Sequence, residues 1–213
     1  DGAEVLKKYR ENVLLLPDLK HNAANAFRRI LESDARFSDF NSRVGRTRSA
    51  IQQTELGHFT PPSPKPKARF MNLAPTLHWA EMVSWQLSHP NSNARQSITA
   101  ERMNEKLGWM SEFGDEIARW NACQAVVSAA LTFNNEQGVF RGAARQLRDC
   151  LRGVVGNEDK TTKQALSRQM AAKLLRFMRA QESKLAPEQR LPLSTEILES
   201  SFGLLKQLER KKS

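Results

Sequence analysis

A single run of mostly apolar positions, spaced three or four residues apart from residue 103 to residue 131, constrains this chain more than any other feature. Side chains at this spacing share one face of an α-helix, so the run predicts either one long helix or two helices broken near Gly108 or Gly114. Thr99 stands where a helix N-cap is expected. The positions of the run are Met103, Leu107, Met110, Phe113, Ile117, Trp120, Gln124, Val127 and Leu131.

Shorter segments repeat the same helical period, and they predict a mostly α fold. Helices are expected over "NAANAFRRILES", "ARFSDFNSRVGRTRSAIQQTEL" and "NLAPTLHWAEMVSWQL", from about Glu136 to Val155, from about Asp159 to Lys184, and onward from Ser194 or Thr195. Only "NVLLL" at residues 12–16, which Pro17 ends, is typical of a buried strand, and "RLPLS" at 190–194 is predicted to be extended.

A proline-rich, basic segment at residues 58–72, "HFTPPSPKPKARFMN", interrupts the helical pattern. Four prolines exclude a helix here, and three cations, Lys65, Lys67 and Arg69, lie within five residues of one another. Two interpretations remain open. The segment is either a stiff solvated linker or an extended stretch whose cations contact the phosphates of a nucleic acid.

The charge of the chain favours a polyanionic partner. Its 213 residues include 33 Lys and Arg against 23 Asp and Glu, a formal charge of +10. A basic domain without a nucleic-acid partner is the alternative. No apolar run approaches the roughly 18 residues that a membrane span needs, and no signal peptide is evident, so we expect no membrane association and a cytoplasmic protein, nucleoid-associated if prokaryotic. Cys123 and Cys150 lack metal-like spacing and are expected to be reduced thiols.

The C-terminal stretch "STEILESSFGLLK" places Glu196, Glu199, Gly203 and Lys206 on one helical face and apolar residues on another. A glycine inside a helix costs about 1 kcal/mol relative to alanine, which indicates that something approaches the backbone at Gly203. A solvated face with an incidental glycine is the alternative.

The two ends of the chain together resemble DDE transposases of the Mutator-like and hAT-like group. In "DGAEVLKKYRENVLLLPDLKHNAANAF", Asp1, Gly2, His21 and Asn25 match the arrangement around the second catalytic aspartate of that group. Asp18 stands where a cysteine is usual, which leaves two candidates for the second catalytic carboxylate. Asp1 is preferred because His21 then takes its expected place downstream, and Asp18 is the second choice. In "TEILESSFGLLK", Glu199, Phe202 and Lys206 have the spacing of the helix that supplies the final glutamate, whereas Glu196 does not.

This resemblance implies a fold and a chemistry. Residues 1–33 would belong to an RNase H-like α/β core, residues 34–186 would form an all-helical insertion domain, and residues 187–213 would return to the core. Asp1 and Glu199 would hold Mg²⁺ or Mn²⁺ in a two-metal site for DNA cleavage and strand transfer. A further aspartate would lie outside this chain, so we expect an inactive fragment of a longer protein. Its partners would be transposon ends, target DNA and a second copy of itself.

The same resemblance suggests DNA contacts at His21, Lys65, Lys67, Arg69, Trp79 and Lys206. Each has an ordinary alternative: His21 can order the turn before a helix, Trp79 can pack in the core as we expect of Trp120, and Lys206 can be solvated. Two arginine stripes are likewise either backbone contacts or solvated faces, namely Arg43, Arg46 and Arg48, and Arg141, Arg145, Arg148 and Arg152. The competing function is a non-catalytic helical module that binds nucleic acid or protein. Only the enzyme requires Glu199 within about 10 Å of Asp1 or Asp18.

Overall fold

The structure, a computed structural model, describes residues 14, 16–63, 70–89, 98–155 and 162–193, and it confirms a mostly α fold. Seven α-helices and two short strands lie in these ranges. They are α1 (Leu19–Leu31), α2 (Ala35–Ile51), α3 (Leu73–Ser88), α4 (Ala100–Leu107), α5 (Gly114–Gln137), β1 (Val139–Phe140), α6 (Ala143–Val155), α7 (Thr162–Glu182) and β2 (Arg190–Leu191).

Side-chain caps begin three of these helices. Asp18 accepts from the His21 amide at the start of α1, and Asp34 accepts from the amides of Arg36 and Phe37 at the start of α2. Thr99 accepts from the Arg102 amide, so its predicted capping role in α4 is confirmed. Each cap satisfies a backbone N–H that the helix cannot satisfy itself, which contributes about 1 kcal/mol.

The long apolar run is divided at both predicted glycines. Between α4 and α5, residues Gly108–Phe113 form a 3₁₀ helix, and Met110 and Phe113 of the apolar run remain buried within it. Most members of the run are buried: Met103, Leu107, Met110, Phe113, Ile117, Trp120 and Val127.

Aromatic side chains from α2 pack against α5 at the centre of the core. Phe37 meets Trp120 edge to face with ring centroids 5.2 Å apart, and Phe40 lies 5.1 Å from Trp120 and 5.6 Å from Phe113. The Phe37–Trp120 and Phe40–Phe113 pairs have edge-to-face geometry, which places a positive ring edge on a negative ring face and adds roughly 1 kcal/mol to each contact beyond the burial of apolar area. Trp120 is 1% exposed, so its predicted core position is confirmed.

The C-terminal helices α6 and α7 pack against α5 and against each other, and α1 contacts both α5 and α7. Helices α6 and α7 run antiparallel, because Glu182 at the end of α7 accepts a 2.9 Å hydrogen bond from the Ala144 amide at the start of α6. This contact commits the Glu182 carboxylate to the N-terminus of α6, where a negative charge is favourable.

The prediction of one helix from about Glu136 to Val155 is wrong. Helix α5 ends before Gly138, whose φ of 67° lies in a region that only glycine adopts easily, and Gly142 turns again with a φ of 96°. Between them, β1 pairs antiparallel with β2, with Val139 opposite Leu191. A side chain at position 138 would place Cβ 2.7 Å from the Leu191 carbonyl oxygen. The predicted extended stretch at 190–194 is confirmed at Arg190–Leu191.

The strand predicted for residues 12–16 is not found at the two positions of it that the structure describes. Leu14 and Leu16 belong to no strand, and Leu14 is 39% exposed. A strand requires a hydrogen-bonded neighbour, and within the described ranges the sheet contains only β1 and β2. The domain boundaries after residues 33 and 186, and the RNase H-like core, stay predictions.

Candidate functional site

The two segments that lead to the predicted catalytic residues meet at one point in the structure. The Leu19 amide donates a 2.9 Å hydrogen bond to the Leu193 carbonyl, and the Leu193 amide donates a 3.2 Å bond to Oδ1 of Asn134. All three residues are at most 2% exposed. The start of α1 and residue 193, at the end of the described range, therefore lie side by side next to the end of α5.

Asn134 was not singled out by the sequence reasoning, although it makes this closure. Its amide oxygen satisfies a backbone N–H that is buried together with Leu193. The sequence signal was weak, since Asn134 and Asn135 occur side by side and only the fold shows which of them faces inward. An asparagine near the end of a helical pattern is more often a solvated residue than a buried anchor.

Most of the predicted site residues lie outside the described ranges. Six of them belong to this group, and for them the predicted roles in metal or DNA binding stay predictions: Asp1, Lys65, Lys67, Arg69, Glu199 and Lys206. Within the described ranges, no group of three or more His, Cys, Asp and Glu side chains is placed to hold a metal ion. The remaining predicted residues are Asp18, His21 and Trp79.

Asp18 and His21 form one local unit at the start of α1. Oδ1 of Asp18 accepts from the His21 amide at 2.8 Å and lies 3.2 Å from Nδ1 of the His21 ring. The Asp18 side chain is only 7% exposed, whereas that of His21 is 53% exposed. The carboxylate thus has a structural task as an N-cap, and the imidazole orders the same turn while most of its ring faces solvent.

Trp79 does not present its ring for stacking. It is 4% exposed, and its indole N–H donates a 2.7 Å hydrogen bond to the Phe59 carbonyl. This placement argues against the base-stacking role predicted for it, because the ring is buried and its N–H is bonded to the 3₁₀ turn at Gly57–Phe59. The exposed tryptophan of the same helix is Trp85, which is 52% exposed and stacks on His89 with ring centroids 4.6 Å apart.

The predicted arginine stripes are largely occupied by contacts within the chain. Arg43 pairs with Asp39 and Glu112, and the hydrogen bond that its guanidinium donates to Glu112 raises the pKa of Arg43. Arg48 donates to the Pro61 carbonyl, which holds one end of the proline-rich segment. Arg141 donates to the Leu185 carbonyl, and Arg152 pairs with Asp149. Arg46 and Arg145 are exposed.

A contrast between two groups of cations is the main electrostatic feature. Five cations on α2, α4 and α5 are paired with carboxylates in the part of the chain that the structure describes: Arg36, Arg43, Arg102, Lys106 and Arg119. Five cations on α1 and α7 form no ion pair with any described residue: Arg28, Arg29, Lys173, Arg176 and Arg179. This second group is therefore available for an external anion.

Comparison with known proteins adds no relative to this picture. None of the family models, curated proteins or solved structures searched matches the chain. Among the described helices, none combines the length and the apolarity needed to span a membrane.

Proposed function

We propose that this chain is the helical region of a DDE-type transposase, with short segments of the catalytic core at both ends. The observation that carries the proposal is the closure at Leu19 and Leu193. A domain inserted into another fold must leave it and return at neighbouring points, and the hydrogen bond between Leu19 and Leu193 supports such an arrangement. In the sequence, Glu199 follows Leu193 by six residues and Asp1 precedes Leu19 by eighteen.

In this proposal Asp1 and Glu199 are the carboxylates of the catalytic site, with Asp18 as the alternative to Asp1. Carboxylate oxygens are hard ligands that suit Mg²⁺ or Mn²⁺. The bound ions would supply Lewis-acid stabilisation of the scissile phosphate and of the leaving oxygen. The chain itself contributes the ligand oxygens and, at Lys206, a cation for a neighbouring phosphate. The complete protein would supply the missing aspartate and would act on DNA as an oligomer.

The experiment is DNA cleavage by the complete protein that contains this chain, with Mg²⁺ or Mn²⁺. Glu199→Gln should reduce cleavage by at least about 100-fold, because even partners of metal ligands cost 10–100-fold when removed. Glu196→Gln, three residues earlier in the sequence, is the matched control and should retain wild-type activity. Equal activity of the Glu199→Gln variant and the wild type would remove Glu199 from the catalytic site.

A second candidate function, a non-catalytic helical module that binds nucleic acid, is favoured by the five cations of α1 and α7 that form no ion pair with a described residue: Arg28, Arg29, Lys173, Arg176 and Arg179. Its Asp18 would serve only as the cap of α1, as the hydrogen bonds to His21 show it does. The cleavage assay distinguishes the two functions. A transposase shows metal-dependent cleavage that requires Glu199, whereas a binding module binds nucleic acid but shows no such cleavage.

A further inference from the structure

Helix α7 carries a ridge of cations on its outward face. Lys173, Arg176 and Arg179 follow one another at intervals of three residues, and Arg168 lies three helical turns before Arg179 on the same side. Arg168, Arg176 and Arg179 are exposed, and Lys173 is half-buried. The buried face of the helix is formed instead by Met170, Ala171, Leu174 and Met178.

No carboxylate of α7 neutralises this ridge. The helix has a single acidic residue, Glu182, whose Oε2 accepts the hydrogen bond from the Ala144 amide. Lys173, Arg176 and Arg179 form no ion pair with another described residue. The cations of α4, by contrast, are paired. Nε of Arg102 lies 2.7 Å from Oε1 of Glu55, and Nζ of Lys106 lies 2.7 Å from Oε1 of Glu105.

We propose that the α7 ridge, defined as Lys173, Arg176 and Arg179, binds the phosphate backbone of DNA. The inference rests on the proposed function for DNA as the partner, and it adds the surface that holds it. Successive cations of the ridge are about 4.5 Å apart along the helix axis. Duplex DNA carries one negative charge per about 1.7 Å of its helix axis, so each cation of the ridge can lie close to a phosphate when α7 rests on the duplex.

The neutral residues between the cations distinguish DNA from a membrane surface. Ala165, Gln169, Ala172 and Ala180 complete the outward face, and the large exposed hydrophobic residues of the described chain all lie elsewhere: Leu14, Met82, Trp85 and Val154. A helix that binds a lipid surface needs bulky apolar side chains to insert below the headgroups. The α7 ridge offers charge without such an anchor, which fits a polyanion in solution.

The test compares two variants of the 213-residue chain with the same change in net charge. The first is Lys173→Gln/Arg176→Gln/Arg179→Gln, and glutamine keeps the helix propensity of the residues that it replaces. The control is Arg43→Gln/Arg102→Gln/Lys106→Gln, which removes three cations that carboxylates already neutralise. Affinity for a fluorescent 30-base-pair duplex is measured by anisotropy between 50 and 200 mM salt, and circular dichroism confirms that each variant is helical.

The ridge variant should bind the duplex about 10- to 100-fold more weakly than the wild type, and the slope of log K against log salt should fall by roughly 3. The control should stay within about threefold of the wild type. If the triple variant loses its helical signal, the single variants Arg176→Gln and Arg179→Gln should each reduce the slope by about 1.

Three results would overturn the inference. The first is wild-type affinity in the ridge variant, the second is an equal loss in the control, and the third is binding to phosphatidylserine vesicles in place of DNA. None of them touches the proposed catalytic function, which stands or fails on cleavage by Glu199→Gln. Conversely, DNA affinity that depends on the ridge, together with no cleavage that depends on Glu199, would support the α7 ridge as a binding surface and exclude the proposed catalytic function.

Discussion

At the scale of single residues, the local hydrogen bonds of Asp18 say more about its role in this structure than its position in the motif does. Asp18 is a candidate metal ligand by its place in the sequence, but in the structure its carboxylate is nearly buried and accepts from the backbone of His21. The capping role of Thr99 was predictable because Thr99 precedes a clear apolar pattern. The capping role of Asp18 was not predicted, because the resemblance to a transposase suggested a catalytic role for that residue. A short acidic side chain before a helix is compatible with helix capping and with metal binding alike.

Substitution of Asp18 separates capping from metal binding. Asp18→Ala should lower the free energy of unfolding by about 1 kcal/mol, because the amide at the start of α1 loses its acceptor. Asp18→Ser keeps a capping oxygen and should stay within about 0.5 kcal/mol of the wild type, although it removes the carboxylate. Urea unfolding measures both. In the cleavage assay of the complete protein, retained activity in Asp18→Ser would exclude Asp18 as the second catalytic carboxylate.

At the scale of elements, the helical period located most helices and failed where glycine controls the backbone. The segment from Glu136 to Val155 has no proline, so its pattern predicted a single helix. The conformations of Gly138 and Gly142 create a turn, a short strand and a new helix instead. Glycine permits such conformations without requiring them, and it was the pairing of Val139 with Leu191 that selected them here.

Alanine substitutions at two glycines test this account. Gly138→Ala should destabilise the protein by about 1–3 kcal/mol, because its φ is positive and its Cβ would lie 2.7 Å from the Leu191 carbonyl oxygen. Gly153→Ala in α6 meets nothing within 4 Å and should stabilise by about 0.5–1 kcal/mol. Thermal unfolding gives both values. A neutral Gly138→Ala would show that the turn before β1 is not required for stability.

At the scale of the whole molecule, the closure between the start of α1 and the end of β2 links distant parts of the sequence. Leu19 and Leu193 are separated by most of the described chain, yet they share a hydrogen bond beside Asn134. The resemblance of the two ends to a transposase suggested that a helical domain lies between them. The closure is the arrangement that such an insertion needs, and no local pattern predicts it.

Asn134→Ala should loosen this closure. The Leu193 amide would remain buried without an acceptor, at a cost of about 1–3 kcal/mol, and its hydrogen exchange should accelerate together with that of the Leu19 amide. Asn135→Ala, at an exposed neighbouring position, is the matched control and should change neither rate. Unchanged exchange at Leu19 and Leu193 in Asn134→Ala would mean that the closure does not depend on this side chain.

The sequence by itself determined the mostly helical class, the positions of most helices, the core role of Trp120 and the strong positive charge. These follow from the spacing and type of neighbouring residues, which short-range geometry converts directly into structure. Only the tertiary structure decided that Trp79 is buried, that Asn134 anchors Leu193, and that Lys173, Arg176 and Arg179 form no ion pair with a described residue. Each of these depends on which residues from distant segments pack side by side, and that is settled by the burial of the whole core.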